Sequence, residues 1–154
     1  MSAARTLTLT ALPDIPHIAP GDDLAAMVLD GLARAGLQPT AIDAVVLAQK
    51  IVSKAEGRRV VLSSVTPSPR AIEIAETVQK DPRLVELILS ESVEVLRMRP
   101  GVLIVQHRLG LVLANAGIDQ SNIEQEEESA LLLPLDPDAS CAALRETIQA
   151  RSGA

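Results

Sequence analysis

The chain opens on a strict alternation, Thr6-Leu7-Thr8-Leu9-Thr10, and a period of two predicts a half-buried strand. Residues 11–21 hold Pro13, Pro16 and Pro20, which lack amide donors and fix their own backbone angles, so a shaped loop is expected. Asp22 or Asp23 can then cap a helix. Behind them Leu24, Met27, Val28, Gly31, Leu32 and Ala35 recur at helical spacing, and Gly36 can supply the left-handed residue that stops the helix. Ala44-Val45-Val46-Leu47-Ala48 is short, branched and continuous, the pattern of a strand covered on both faces. It is expected to deliver Gln49, Lys50 and Lys54 to a loop at the strand's end.

Further along, Arg59-Val60-Val61-Leu62 reads as another strand, and Ser68-Pro69 starts a helix carrying Ala71, Ile74, Ala75 and Val78 on one side. Asp81-Pro82 repeats the start signal for a helix whose buried stripe is Leu84, Leu87 and Ile88. Residues 93–98, 102–107 and 111–114 read as three strands in succession, with Pro100-Gly101 and Leu109-Gly110 as turns, so an antiparallel meander is expected. Residues 119–129 read as polar loop and 131–133 as a short apolar element. Asp138 is expected to cap a last helix around Leu144 and Ile148 that stops at Arg151-Ser152-Gly153-Ala154. Together these elements predict an α+β fold: a mixed, partly antiparallel sheet with helices packed in a layered arrangement. Residues 1–154 are read as a single domain.

Composition narrows the function classes. Phe, Trp and Tyr are absent, which removes the stacking platforms of most single-strand nucleic-acid binders and leaves the core to aliphatic side chains. A net charge of −6 repels polyanions, so no nucleic-acid partner is expected, although a local basic patch could still hold a nucleotide. One cysteine excludes an intrachain disulfide framework and a Cys-rich zinc site, and it suits a reducing cytoplasm. No apolar run reaches the length of a membrane span, and the start lacks the apolar core of a signal peptide.

Two stretches carry candidate chemistry. Lys50-Ile51-Val52-Ser53-Lys54-Ala55-Glu56-Gly57-Arg58 crowds two lysines into one loop, where a lysine offers phosphate a mobile point charge. The Gly-x-x-x-x-Gly-Lys spacing of a Walker loop is missing, and local spacing alone favours a solvated hairpin with Lys54 and Glu56 as surface charges. In Asn115-Ala116-Gly117-Ile118-Asp119-Gln120-Ser121-Asn122, Asp119 offers a hard carboxylate oxygen suited to magnesium or manganese. Asn122 offers both an acceptor and a donor, and the competing reading is a turn that satisfies its own backbone. His17 and His107 read as surface histidines rather than a zinc pair, Cys141 as a packed, inert thiol, and Glu124-Gln125-Glu126-Glu127-Glu128 as solvated loop.

Taken in order, five blocks resemble the coenzyme F420 gamma-glutamyl ligases: Pro20-Gly21-Asp22-Asp23-Leu24; the stretch from Lys50 to Arg58; Lys80-Asp81-Pro82 with Glu91-Ser92; the stretch from Asn115 to Asn122; and Leu131-Leu132-Leu133-Pro134-Leu135-Asp136-Pro137-Asp138. The resemblance implies GTP as co-substrate, Mg2+ or Mn2+, and addition of L-glutamate to the deazaflavin coenzyme precursor through an acyl phosphate. It assigns nucleotide contacts to Leu12, Pro13, Asp14 and Ile15, to Lys54 and to Asn122, and a metal-ligand role to Asp119. Gln49 stands where the family often has Ser, followed by Lys50, and the resemblance implies a nucleotide contact at these two residues as well. The family's Asp-Thr/Ser-x-Gly-Arg segment, which supplies further metal ligands, has no counterpart here. The chain is therefore expected to correspond to the N-terminal nucleotide-binding part, and to act as a homo-oligomer such as a homodimer or with a complementing C-terminal half. A non-catalytic binding module is the alternative.

Overall fold

A computed structural model of the chain describes residues 6–120 and 128–153. Asn122, and the glutamates of the acidic run other than Glu128, lie outside the described residues. Helix α1 (Leu24–Arg34) starts where Asp23 accepts the Ala26 amide and ends before Gly36, whose φ of 67° is left-handed. Helix α2 is Gln49–Ala55. Strand β1 (Arg59–Val61) precedes helix α3 (Pro69–Val78), capped by Ser68, and helix α4 (Pro82–Ser90), capped by Asp81. In both, proline occupies the first turn, where its missing amide would have had no helical partner.

Strands β2 (Ser92–Arg99), β3 (Val102–His107) and β4 (Val112–Ala114) form the expected antiparallel meander, with Val95 opposite Val105 and Val105 opposite Leu113. Strand β5 (Ser129–Leu131) pairs antiparallel with β1, Val60 facing Ala130. Helix α5 (Pro137–Ser152) closes the described chain. The α+β expectation is met, and every strand pairing among the described residues is antiparallel.

The main core fills the space between α3, α4 and the inner face of β3. Ala71, Ile74, Ala75 and Val78 meet Leu84, Val85, Leu87 and Ile88 at helical spacing, while Leu103 and Val105 enter from the sheet at a spacing of two. A smaller cluster joins Ala25 and Val28 of α1 to Ile148 of α5, and an ion pair of 2.7 Å between Asp23 and Arg151 links the same two helices. Among the described residues, no helix is long and apolar enough to cross a membrane.

Six local expectations are corrected. Residues 6–10 and 44–48 form no strand; Leu7, Leu9 and Val46 are 85%, 88% and 90% exposed. Alternation and branching report which side chains favour cover, but a strand also needs a hydrogen-bonding partner, and the described residues provide none there. The stretch from Gln49 to Ala55 is a helix, not a loop, because its Gly57 stop, with φ of 67°, comes only after two turns. The last helix is capped by Asp136, which accepts the Ala139 amide, since Pro137 takes the first helical position and leaves Asp138 in the first turn. Finally, His107 is fully buried and Cys141 is exposed, the reverse of both readings. His107 shares the inward parity of Leu103 and Val105, and Cys141, on the same face of α5 as Ile148, opens into an apolar groove instead of a packed core.

Candidate functional site

Helix α2 is the hub. Lys50 and Lys54 stand four residues apart, so both side chains project from one face of it. Lys50 Nζ lies 2.5 Å from Asp119 Oδ2, an ion pair that joins the two stretches singled out in the sequence. Asp119 is itself held in place by its backbone, which exchanges two hydrogen bonds with Leu131, of 3.0 and 2.8 Å, in an isolated antiparallel bridge. It is therefore not the self-satisfied turn that was the competing reading. The Lys54 side chain is half-buried and, among the described residues, makes no hydrogen bond or ion pair. Gln49 donates to the Ser53 hydroxyl at 2.6 Å; Ser53 is fully buried, so this bond fixes Gln49 along the helix.

The turn that leads into Asp119 is unusual. Asn115, Ala116 and Gly117 have φ of 51°, 54° and 69°, three consecutive left-handed residues. For a residue with a Cβ this conformation costs on the order of 1–2 kcal/mol, and such strain concentrates at functional sites. A Cβ on Gly117 would lie 3.1 Å from Leu133 and 3.2 Å from Leu113, so glycine is required there both by conformation and by space. The carbonyl oxygen Oδ1 of Asn115 is buried with no hydrogen-bond partner among the described residues.

Beneath α2 runs a network of charges that sequence reasoning missed. Glu91, 8% exposed, accepts from Arg58 Nη2 at 2.8 Å and from Arg108 Nε at 3.2 Å. Both arginines reach beyond it to backbone carbonyls, Arg58 to Leu133 at 2.8 Å and Arg108 to Leu135 at 2.9 Å. His107 Nδ1 accepts the Leu109 amide at 3.0 Å, which places the neutral ring's proton on Nε2, 3.4 Å from Glu91 Oε2 and too far for a good hydrogen bond. Burial pushes the His107 imidazole below its ordinary value of 6.5; Glu91 opposes this, and Arg108 and Arg58 reinforce it. Glu56 completes the stitching by accepting the Leu135 amide at 3.0 Å and the Ser140 hydroxyl at 2.5 Å.

These contacts draw the five sequence blocks together. Gly21 donates to the Ala55 carbonyl at 2.8 Å, Arg58 reaches Glu91 and Leu133, Lys50 reaches Asp119, and Asp119 pairs with Leu131. The segment Leu12-Pro13-Asp14-Ile15 is held against α1, where Leu12 and Ile15 line one groove with Ala48 and Ile51. Arg34 donates to the carbonyls of Pro13 and Asp14, both at 3.3 Å, and Leu12 and Ile15 pack over Gly31. Asp14 has a φ of 54°, so this loop is strained as well. His17 is exposed in the same loop. Glu128, the one described member of the acidic run, pairs with Arg83 at 2.7 Å.

As a metal site the described residues fall short. They contain no group of three or more His, Cys, Asp or Glu side chains able to hold an ion, and the Asp119 carboxylate already faces an ammonium. A hard divalent cation requires more oxygen ligands than one carboxylate provides.

Comparison with known proteins follows the same lines. Residues 14–154 match the family described as F420-0:Gamma-glutamyl ligase. The chain is 40% identical over 147 residues to the Coenzyme F420:L-glutamate ligase of Methanothermobacter thermautotrophicus, covering 96% of this chain and 58% of the relative. It is 38% identical over 149 residues to the protein of the same name from Methanopyrus kandleri, covering 97% and 56%. With that of Archaeoglobus fulgidus it shares 42% over 139 residues, covering 90% and 53%. The chain thus spans somewhat more than half the length of the curated relatives it matches.

Proposed function

The chain belongs to the F420-0:Gamma-glutamyl ligase family, and from that premise we propose that it supplies the nucleotide-binding part of a GTP-dependent ligase joining L-glutamate to the deazaflavin coenzyme precursor. The observation that supports this reading is the Lys50–Asp119 ion pair, because it brings together the two stretches whose side chains suit phosphate and its counter-ion. A carboxylate is a poor electrophile and carries negative charge. Phosphoryl transfer from GTP to the precursor's terminal carboxylate gives an acyl phosphate, and attack by the glutamate amine then forms the amide, with GDP and phosphate released. In this scheme the Lys54 ammonium neutralises phosphate oxygens while charge builds on them. Lys50 holds Asp119 in position, Gln49 and residues 12–15 contact the nucleotide, and Asn122 orients it. Magnesium or manganese belongs to the same proposal, with Asp119 as one ligand and the others supplied from outside the described residues.

A second reading, a nucleotide- or coenzyme-binding module that catalyses only with a partner polypeptide, is favoured by the absence of a three-ligand cluster among the described residues. One experiment addresses both. GTP is titrated into the chain by calorimetry with and without manganese, and glutamylated product is sought by mass spectrometry. Weak, metal-dependent binding without product supports the module; binding with product supports the complete ligase. Equal and negligible heats at millimolar GTP defeat both.

A further inference from the structure

Helix α2 carries Lys50 and Lys54, yet of its seven residues only Ser53 is buried. A helix with so little apolar cover takes its position from polar ties, and Arg58, just beyond its last turn, is the tie that faces both halves of the site. The Arg58 amide donates to the Ser53 carbonyl at 2.9 Å, closing the helix, and its carbonyl accepts the Leu132 amide at 3.1 Å. Its side chain, 20% exposed, reaches further: Nε donates to the Leu133 carbonyl at 2.8 Å and Nη2 to Glu91 Oε1 at 2.8 Å. The segment held in this way is the one that bears on Asp119. Leu131 exchanges two backbone hydrogen bonds with Asp119, and the Leu133 methyl carbons lie 3.1 and 3.2 Å from where a Cβ on Gly117 would stand. Leu133 therefore lies against the turn of three left-handed residues that delivers Asp119. A strained turn of this kind persists only where its neighbours hold it.

We propose that Arg58 is a positioning residue of the nucleotide site: it ties the end of α2 to Leu133, with Glu91 holding its guanidinium, and so fixes the lysine-bearing helix relative to the Asp119 turn. The inference rests on the nucleotide reading of that site, and it gives Arg58 no contact with the nucleotide itself. The separation it controls is a close one. Lys50 Nζ and Asp119 Oδ2 are 2.5 Å apart although their residues belong to separate elements, and a displacement of about 1 Å in a reacting site can cost on the order of 100-fold in rate. Arginine is required there for its shape as well as its charge. Nε and Nη2 leave the planar guanidinium at different corners and reach a carbonyl and a carboxylate at once, whereas lysine has a single nitrogen on a flexible stem. Glu91 is 8% exposed, so little water competes for the guanidinium that it orients.

The test compares the complete 154-residue chain with Arg58→Lys and with Leu133→Ala. The first keeps the charge and removes the fork; the second removes the clamp over Gly117 and leaves the Arg58–Glu91 pair in place, so the proposal stays testable if the first variant folds poorly. Amide hydrogen exchange without nucleotide is expected to quicken at least tenfold at Asp119 and Leu131 in both variants, with the amides of β3 unchanged. Calorimetric titration of GTP in the presence of manganese is expected to show affinity at least tenfold weaker in both. Exchange that quickens equally in β3 would make Arg58 a merely structural residue and overturn the proposal. Unchanged exchange at Asp119 would overturn it too, as would a loosened Asp119 with undiminished affinity for GTP. An unaltered chain that binds no GTP defeats the nucleotide reading and the proposal with it, whereas a chain that binds GTP with an Asp119 amide indifferent to Arg58 defeats the proposal alone.

Discussion

Glu91→Gln is the most informative single perturbation, because it removes one charge and almost no volume from the centre of the network beneath α2. Glu91 receives charge-assisted hydrogen bonds from Arg58 at 2.8 Å and Arg108 at 3.2 Å, and its side chain is 10% exposed. Removing one partner of a fully buried ion pair costs about 3–5 kcal/mol. Here the arginine side chains are 20% and 30% exposed and keep their carbonyl partners, Leu133 and Leu135, so part of that penalty is relieved by water and by the remaining bonds. The glutamine also retains a carbonyl oxygen able to accept from Arg58. A loss of about 2–3 kcal/mol is therefore expected, or a fall in melting temperature of about 4–12 °C for a chain of this size. Because the chain has no aromatic residue, unfolding is followed by far-UV circular dichroism in urea rather than by intrinsic fluorescence. The midpoint should fall with the slope m unchanged. A change below about 0.5 kcal/mol, the range of ordinary surface substitutions, would refute the claim that Glu91 ties these segments together.

Three other outcomes follow from the geometry. Lys54→Ala should weaken GTP binding while altering stability by no more than about 0.5 kcal/mol; a melting temperature that collapses with the affinity would make the lysine structural. Gly117→Ala forces a Cβ into a left-handed residue and toward Leu133, so a loss of about 1–3 kcal/mol is expected by urea titration, and a neutral result would overturn the turn geometry. Because His107 is held below its ordinary value of 6.5, the unfolded chain takes up a proton that the folded chain refuses. Its contribution is thus constant above that value and is lost as pH falls below it toward the folded value. The groups facing the imidazole are Glu91, Arg108 and Arg58, and His107→Asn should flatten the dependence of melting temperature on pH between about 7 and 5; an unchanged slope would exclude this histidine as its source.

Much of the fold was legible where the signal is local. Ser68-Pro69 and Asp81-Pro82 announce α3 and α4, and the same Asp-Pro signature at Asp136-Pro137 marks the start of α5, two residues before the cap expected at Asp138. Parity within β3 also carries His107 inward beside Leu103 and Val105, a clue that its residue type obscured. The stretch from Gln49 to Ala55 reads as loop because a helix of seven residues offers too few turns to display its period. The pairing of Glu91 with Arg58 leaves no local trace, since the two residues lie 33 positions apart in the chain. In the candidate site, Lys50 and Asp119 were legible as chemistry but not as partners.

The stitching of the site also fixes when it can form. Residues 69–107 hold α3, α4, β2 and β3 in immediate succession, so their contacts close short loops. The site's contacts do not: Arg58 reaches across 75 residues to Leu133, Glu56 across 84 to Ser140, and Asp23 across 128 to Arg151. Closing such loops costs entropy before any contact forms to offset it. During synthesis the helix pair and hairpin can therefore assemble while α2 still lacks its tethers, and the lysine-bearing face acquires its final geometry only once the start of α5 has emerged. Pulse-labelled hydrogen exchange during refolding would detect this order as protection of β3 ahead of the Leu135 amide; simultaneous protection would contradict it.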